Sequence, residues 1–155
     1  MGMVHPRILG YLGRALSLEF TAVQQYMTHG SLLELWGERE SADRFRQDTV
    51  EEMRHAESIV QRMLALGVAP AASQLQPVSH ARDLAGLLRL NQKLEAVLIQ
   101  HYAEAVRFCV LIGDTENEGF FQSLWSDEQL HGETLATWLR SVDGYGRAPE
   151  ARATF

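Results

Sequence analysis

The stretch Glu51-Glu52-Met53-Arg54-His55 decides how the rest of the chain is read. In a helix, Glu52 and His55 lie one turn apart on one face, so a carboxylate and an imidazole converge on a common point, as metal ligands do. The same Glu-x-x-His spacing recurs at Glu128 and His131, and a lone glutamate stands 33 residues upstream of each pair, at Glu19 and Glu95. One such pair occurs by chance on a solvated helix. Two pairs with equal upstream spacing, all on apolar seams, point to a single centre of four carboxylates and two imidazoles.

The sequence around them is patterned for helix. Helix one is predicted from Pro6, whose missing N–H costs nothing in a first turn, to Trp36-Gly37. Its seam reads Leu9, Leu12, Leu16, Glu19, Val23, Tyr26, Gly30, Leu33, in steps of three and four. Helix two is predicted to open near Ser41 and close at Gly67, with Phe45, Glu52, Ile59 and Leu66 spaced by sevens. Helix three, from Asp83 to Gly113, carries the seam Leu84, Leu88, Asn91, Glu95, Leu98, Tyr102, Ala105, Cys109, Ile112. Thr115 with Glu118 matches a capping box ahead of helix four, which runs to Asp143-Gly144. Phe121, Glu128, Leu135 and Val142 form one row of that helix, and Leu124, His131 and Trp138 the next.

Between helices two and three, residues 68–82 hold Pro70, Ser73, Pro77 and Ser79 and read as irregular chain. An antiparallel hairpin needs only a few residues, so this length predicts a crossover joining two parallel helices of a four-helix bundle. The expected fold is all-α: one domain over residues 1–155, a helical core at about 6–143, and an irregular tail at 144–155.

Composition agrees with one globular domain: 155 residues, 46% hydrophobic and 22% charged. A formal charge of −6 argues against nucleic acid as a partner and suits a protein that attracts cations. Cys109 is the only cysteine, which excludes an intrachain disulfide and is compatible with a reducing cytosol. Charge interrupts every apolar run, so no membrane association is expected, and the cytoplasm is the expected location.

An isolated carboxylate in an apolar seam costs several kcal/mol or takes up a proton. Four facing one another require compensating charge, and the seams offer no lysine or arginine at that level. Two divalent cations balance the charge of Glu19, Glu52, Glu95 and Glu128, with His55 and His131 completing the ligand set. Oxygen-rich ligation suits iron or manganese, with iron preferred, and the lack of thiolates argues against structural zinc or an iron–sulfur cluster. The alternative is a cluster of buried neutral acids. Tyr26 and Tyr102, each two turns beyond a seam glutamate, could bring hydroxyls near the metals as hydrogen-bond or one-electron donors; Tyr26 stands between that role and core packing, and for Tyr102 packing is preferred. His5, His29, His80 and His101 have no partner at ligand spacing and read as surface or incidental. Trp36, Trp125 and Trp138 read as packing.

From helix one to the end of helix four the chain resembles the bacterioferritins. The likeness lies in Gln25-Tyr26, in Trp36-Gly37, in Glu51-Glu52-Met53-Arg54-His55, in Asp127-Glu128-Gln129-Leu130-His131 and in the repeated spacing. It implies a ferritin-like fold and a ferroxidase centre of two iron ions held by Glu19, Glu52, His55, Glu95, Glu128 and His131. It further implies Fe(II) and O2 or H2O2 as reactants, and a homo-oligomeric shell of twenty-four subunits that stores ferric iron. Met53 matches the family's haem ligand, which implies haem b at a twofold dimer interface. Two features depart from the pattern: the tail Tyr145 to Phe155 does not look like the family's short fifth helix, and Gln47 stands where some members carry a histidine that binds iron.

Three functions follow. The first is iron oxidation and storage. The second is a small dimeric di-iron oxidase, peroxidase or oxygenase that stores no iron, which the atypical tail favours. The third is a haem-binding or iron-carrier subunit of a mixed shell.

Overall fold

Gly37 has φ +81°, a left-handed conformation that ends helix one and turns the chain back within three residues. Glu38 N–H donates to Leu33 C=O and Gly37 N–H to Glu34 C=O, so the last carbonyls of the helix are satisfied as it stops. In the computed structural model, which describes residues 3–143, the elements are α1 (Pro6–Leu35), α2 (Arg39–Ala65), α3 (Leu84–Ile112) and α4 (Thr115–Asp143). No strand occurs among the described residues, and the chain is the all-α four-helix bundle expected. The predicted tail, 144–155, lies outside them.

Two antiparallel hairpins, α1 with α2 and α3 with α4, pack along their apolar stripes. Gly30 lets the first hairpin close tightly, since a Cβ there would stand 3.4 Å from Phe45 Cβ. The crossover at 66–83 climbs alongside α1: Gln74 N–H donates to Ser17 Oγ, Gln76 N–H to Thr21 Oγ1, and the Ser79 hydroxyl to Gln25 Oε1. It returns the chain to the far end of α1, so α3 starts there and runs parallel to α2, as the long connection predicts.

Several boundaries and seam positions differ from expectation. Helix two begins at Arg39, ahead of Ser41, with Glu38 at its N-cap and no side-chain cap bond. Helix four is capped by Asp114, whose Oδ1 accepts from Asn117 N–H at 3.1 Å, so Thr115 is its first residue and not its cap. In α1, Ile8 and Ala22 occupy the core positions assigned to Leu9 and Val23. Each lies one residue earlier, on the other edge of a buried stripe that is wider than a two-position seam. Ile112 is exposed at the end of α3.

The histidine assignments also change. His29 and His101 are buried, not at the surface. His101 Nε2 lies 2.9 Å from Tyr11 C=O. His29 belongs to a closed ring: Nε2 faces Ser79 C=O at 2.7 Å, Asn91 Nδ2 faces its Nδ1 at 3.2 Å, Gln25 Nε2 donates to Asn91 Oδ1, and Ser79 Oγ donates to Gln25 Oε1. This ring clamps the crossover onto α1 and α3, and each polar atom in it has a partner.

Candidate metal centre

Halfway along the bundle, each helix presents its glutamate inward. Glu19 from α1, Glu52 from α2, Glu95 from α3 and Glu128 from α4 are each at most 1% exposed. His55 follows Glu52 by one turn and His131 follows Glu128, so both imidazoles reach the same cluster. His55 Nδ1 lies 2.8 Å from Glu128 Oε1, and 3.6 Å from both Glu19 Oε1 and Glu52 Oε2. His131 Nδ1 lies 2.8 Å from Glu95 Oε1 and 3.4 Å from Glu52 Oε1.

Two overlapping groups result: Glu19, Glu52, His55, Glu128, and Glu52, Glu95, Glu128, His131. Within each, the candidate ligand atoms lie within 4.8 Å of one another. Glu52 and Glu128 are common to both. An arrangement of this kind can hold two ions side by side, with the shared carboxylates between them and one glutamate and one histidine at each end.

The donor set fits such ions. Buried polar atoms normally have hydrogen-bond partners, yet Glu19 Oε2, both oxygens of Glu52, Glu95 Oε2, Glu128 Oε2 and both ring nitrogens of His131 have none. Protons and cations are the two ways to neutralise this cluster. Burial, reinforced by the neighbouring carboxylates, raises the proton affinity of Glu19 and Glu128 well above that of an ordinary carboxylate. Burial also raises Glu52, but the proton-bearing neighbours Glu19, His131, His55 and Glu128 crowded around it outweigh burial and hold Glu52 well below the usual range. Burial lowers both imidazoles, but the surrounding carboxylates prevail and hold His55 at about 11 and His131 at about 12. The positive charge that these protons bring is what metal ions would replace.

Two residues beside the centre were not singled out by sequence, and a third, Tyr102, reads there as packing ahead of a hydroxyl donor. Asp127 Oδ2 faces His55 Nε2 at 3.2 Å and Asp48 Oδ2 faces His131 Nε2 at 3.3 Å, which leaves each Nδ1 directed inward. Asp127 directly precedes Glu128 and Asp48 is one turn before Glu52, spacings that are visible in sequence but indistinguishable there from ordinary surface acids. The third is Tyr102. Its hydroxyl donates to Glu19 Oε1 at 2.6 Å, while the Tyr26 hydroxyl donates to Glu95 Oε1. Burial and the adjacent glutamates raise both phenols well above their usual range, so both remain protonated.

Met53 is on the outside, 51% exposed. Phe20, Met27 and Met53 each lie one residue beyond an inward side chain, a rotation of about 100°. The Arg46–Glu34 ion pair bridges α1 and α2 on that side, so these residues, with exposed Val50, line the outer groove between the two helices.

The ferritin-like domain model matches residues 9–144. Rhodobacter capsulatus bacterioferritin is 32% identical over 140 residues, covering 90% of this chain and 87% of the relative. The chain belongs to the bacterioferritin family. The bacterioferritin of Brucella melitensis biotype 1 is 31% identical over 134 residues, covering 86% of this chain and 83% of that one. A solved structure of R. capsulatus bacterioferritin, described with a metal-free dinuclear site and a haem iron in a crystallographic special position, superimposes with a TM-score of 0.89. That match has 31% identity over 94% of this chain and 91% of the other. No helix among the described residues is long and apolar enough to cross a membrane.

Proposed function

We propose that this protein is a ferroxidase-type oxidoreductase that oxidises Fe(II) at a di-iron centre and stores the ferric product in a shell of identical subunits in the cytoplasm. The observation that carries the reading is the pair of four-residue groups sharing Glu52 and Glu128. Glu19 with His55, and Glu95 with His131, serve as the outer ligands, and Glu52 and Glu128 as the bridging ones.

Fe(II) is the substrate. Two ferrous ions give up one electron each, and O2 takes both with two protons and leaves as H2O2; alternatively, H2O2 takes both with two protons and leaves as two waters. The chain's part is to hold the pair close and to exclude bulk water. As iron enters, Glu19 and Glu128 give up the protons that burial and mutual repulsion had retained, and the two imidazoles give up those that the surrounding carboxylates had held. Carboxylates that exchange one shared oxygen for two can follow the rise in charge from ferrous to ferric.

A haem b between two copies of the chain would be held at the outer groove by the Met53 thioether, with Phe20, Met27 and Val50, exposed in the single chain, as apolar neighbours. Such a haem would supply a one-electron carrier at the subunit interface.

Loading the purified protein with Fe(II) in air, followed by gel filtration with protein and ferric absorbance read together, tests the proposal. A large particle retaining many ferric ions per chain is expected. A dimer that takes two irons and stops overturns storage and leaves the small di-iron oxidase.

A further inference from the structure

We infer that Arg7, Tyr11 and Arg107 form an oxyanion site, separate from the metal centre, that takes a phosphate group, free or at the end of a small phosphate ester.

A cleft of about 310 Å³ opens where α1 begins and α3 ends, lined by Arg7, Tyr11, Glu104, Arg107, Phe108 and Leu111. It lies more than two turns of α1 before Glu19. The Arg7 guanidinium sits over the Phe108 ring, 4.2 Å from its centroid, and Nη2 donates to the Tyr11 hydroxyl at 2.9 Å. Phe108 is itself met by His5 in a T-shaped contact at 4.9 Å, and His5 Nδ1 accepts from Arg7 N–H as the cap of α1. A free surface arginine loses side-chain entropy when it captures a ligand. Here the stack and the hydrogen bond have fixed the side chain beforehand.

The donors of the cleft are unspent. Among the described residues no carboxylate lies within ion-pair distance of Arg7 or Arg107, and Arg107 has no hydrogen-bond partner. The Tyr11 hydroxyl accepts from Arg7, which leaves its own proton to donate. Glu104 is the one acid in the lining, and its Oε1 accepts from Gln100 Nε2 at 2.9 Å instead of from either arginine. Guanidinium forks match phosphate oxygens in pairs, so two forks and a hydroxyl suit an anion with several acceptor oxygens. Leu111, 79% exposed, is an apolar lip on which the organic group of an ester can rest.

Overall charge does not account for such a site. The chain's formal charge of −6 repels anions, so a phosphate held here is held by local donors. The groove between α2 and α4 supplies the contrast. Arg44 also stacks there, 3.6 Å from the Trp138 ring centroid, but the Thr134 and Ser141 hydroxyls beside it donate to Leu130 and Trp138 C=O. Arg44 is left as a single fork with Glu133 in the same lining.

The test is calorimetric titration of the metal-free full chain with inorganic phosphate in chloride buffer. Wild type should bind one phosphate per chain saturably. Arg107→Ala should weaken it by about 10-fold to 100-fold, the loss of one charged donor, and Tyr11→Phe by about 3-fold to 10-fold. Glu104→Gln should tighten it by about 2-fold to 5-fold, a gain that misfolding cannot produce. Arg44→Ala removes the same charge elsewhere and should change nothing. Glycerol 3-phosphate, titrated alongside, separates the two sources: tighter inorganic phosphate assigns the free anion, and a tighter ester assigns the monoester. The inference is overturned if wild type shows no saturable binding, if Arg44→Ala weakens phosphate as much as Arg107→Ala, or if Glu104→Gln does not tighten it.

Discussion

His131 Nε2 faces Asp48 Oδ2 at 3.3 Å as an ion-pair contact outside hydrogen-bond geometry, while its Nδ1 faces Glu52 and Glu95. Asp127 hydrogen-bonds with His55 Nε2 at 3.2 Å but is itself 60% exposed, against 20% for Asp48. A partner shielded from water contributes more to the basicity and orientation of a ligand histidine. Asp48→Ala should therefore weaken Co(II) binding by about 10-fold to 100-fold, and Asp127→Ala by no more than the lower figure. Competitive titration with a metallochromic chelator measures both, and a larger loss in Asp127→Ala would reverse the assignment.

Glu128 and Glu95 differ in how many ions they serve. Glu128 belongs to both four-residue groups and Glu95 to one. Glu128→Ala should weaken both ions and cut the initial rate of Fe(II) oxidation more than about 100-fold, beyond the usual cost of removing a mere supporting residue. Glu95→Ala should leave one tight Co(II) per chain. Stopped-flow oxidation and Co(II) stoichiometry together decide it; if the two variants bind Co(II) alike, Glu128 does not bridge.

The cluster of four glutamates and two histidines was legible in sequence because its residues obey helical spacing: a turn within each Glu-x-x-His pair and one interval repeated in both halves. The crossover was legible from its length. Asp48 and Asp127 were not, since their roles depend on contacts between helices far apart in the chain, and the spacing that put Tyr102 near the centre did not show that its hydroxyl reaches Glu19. His29 was misread for a similar reason. Its partners are Asn91 and the crossover's Ser79, and no local spacing announces a ring closed by a segment without regular structure. The seam differences at Leu9 and Val23 have another source: a two-position seam is narrower than the stripe that α1 buries, so the pattern does not say which edge faces the core.

Met53 lies in the outer groove, and Met53→Leu removes the thioether while preserving size and apolarity. If Met53 is an axial ligand, the variant purified from haem-replete cells should lose most of the Soret absorbance per chain carried by wild type, or shift it. The same band at the same position and intensity would assign the ligand elsewhere.

The ring around His29 predicts a dependence on acid. Burial lowers the affinity of its imidazole for a proton, and neighbouring His80 on the crossover lowers it further, while Ser79 C=O and Asn91 act in the opposite sense. The folded value therefore lies below the ordinary 6.5 of an unfolded histidine. As pH falls below 6.5 the unfolded chain gains a proton that the folded ring refuses, so stability is full above 6.5 and is lost on acidification until the folded value is reached. The loss is at most about 1.4 kcal/mol per pH unit. His29→Leu should cost about 1–3 kcal/mol at pH 7, because it leaves Ser79 C=O and Asn91 without their partner. It should also remove this part of the acid dependence. Urea unfolding of the metal-free protein at pH 7 and pH 5 isolates the effect, since the carboxylate cluster is common to both proteins and cancels in the difference. A gap between wild type and variant that does not narrow at pH 5 would mean that His29 titrates normally.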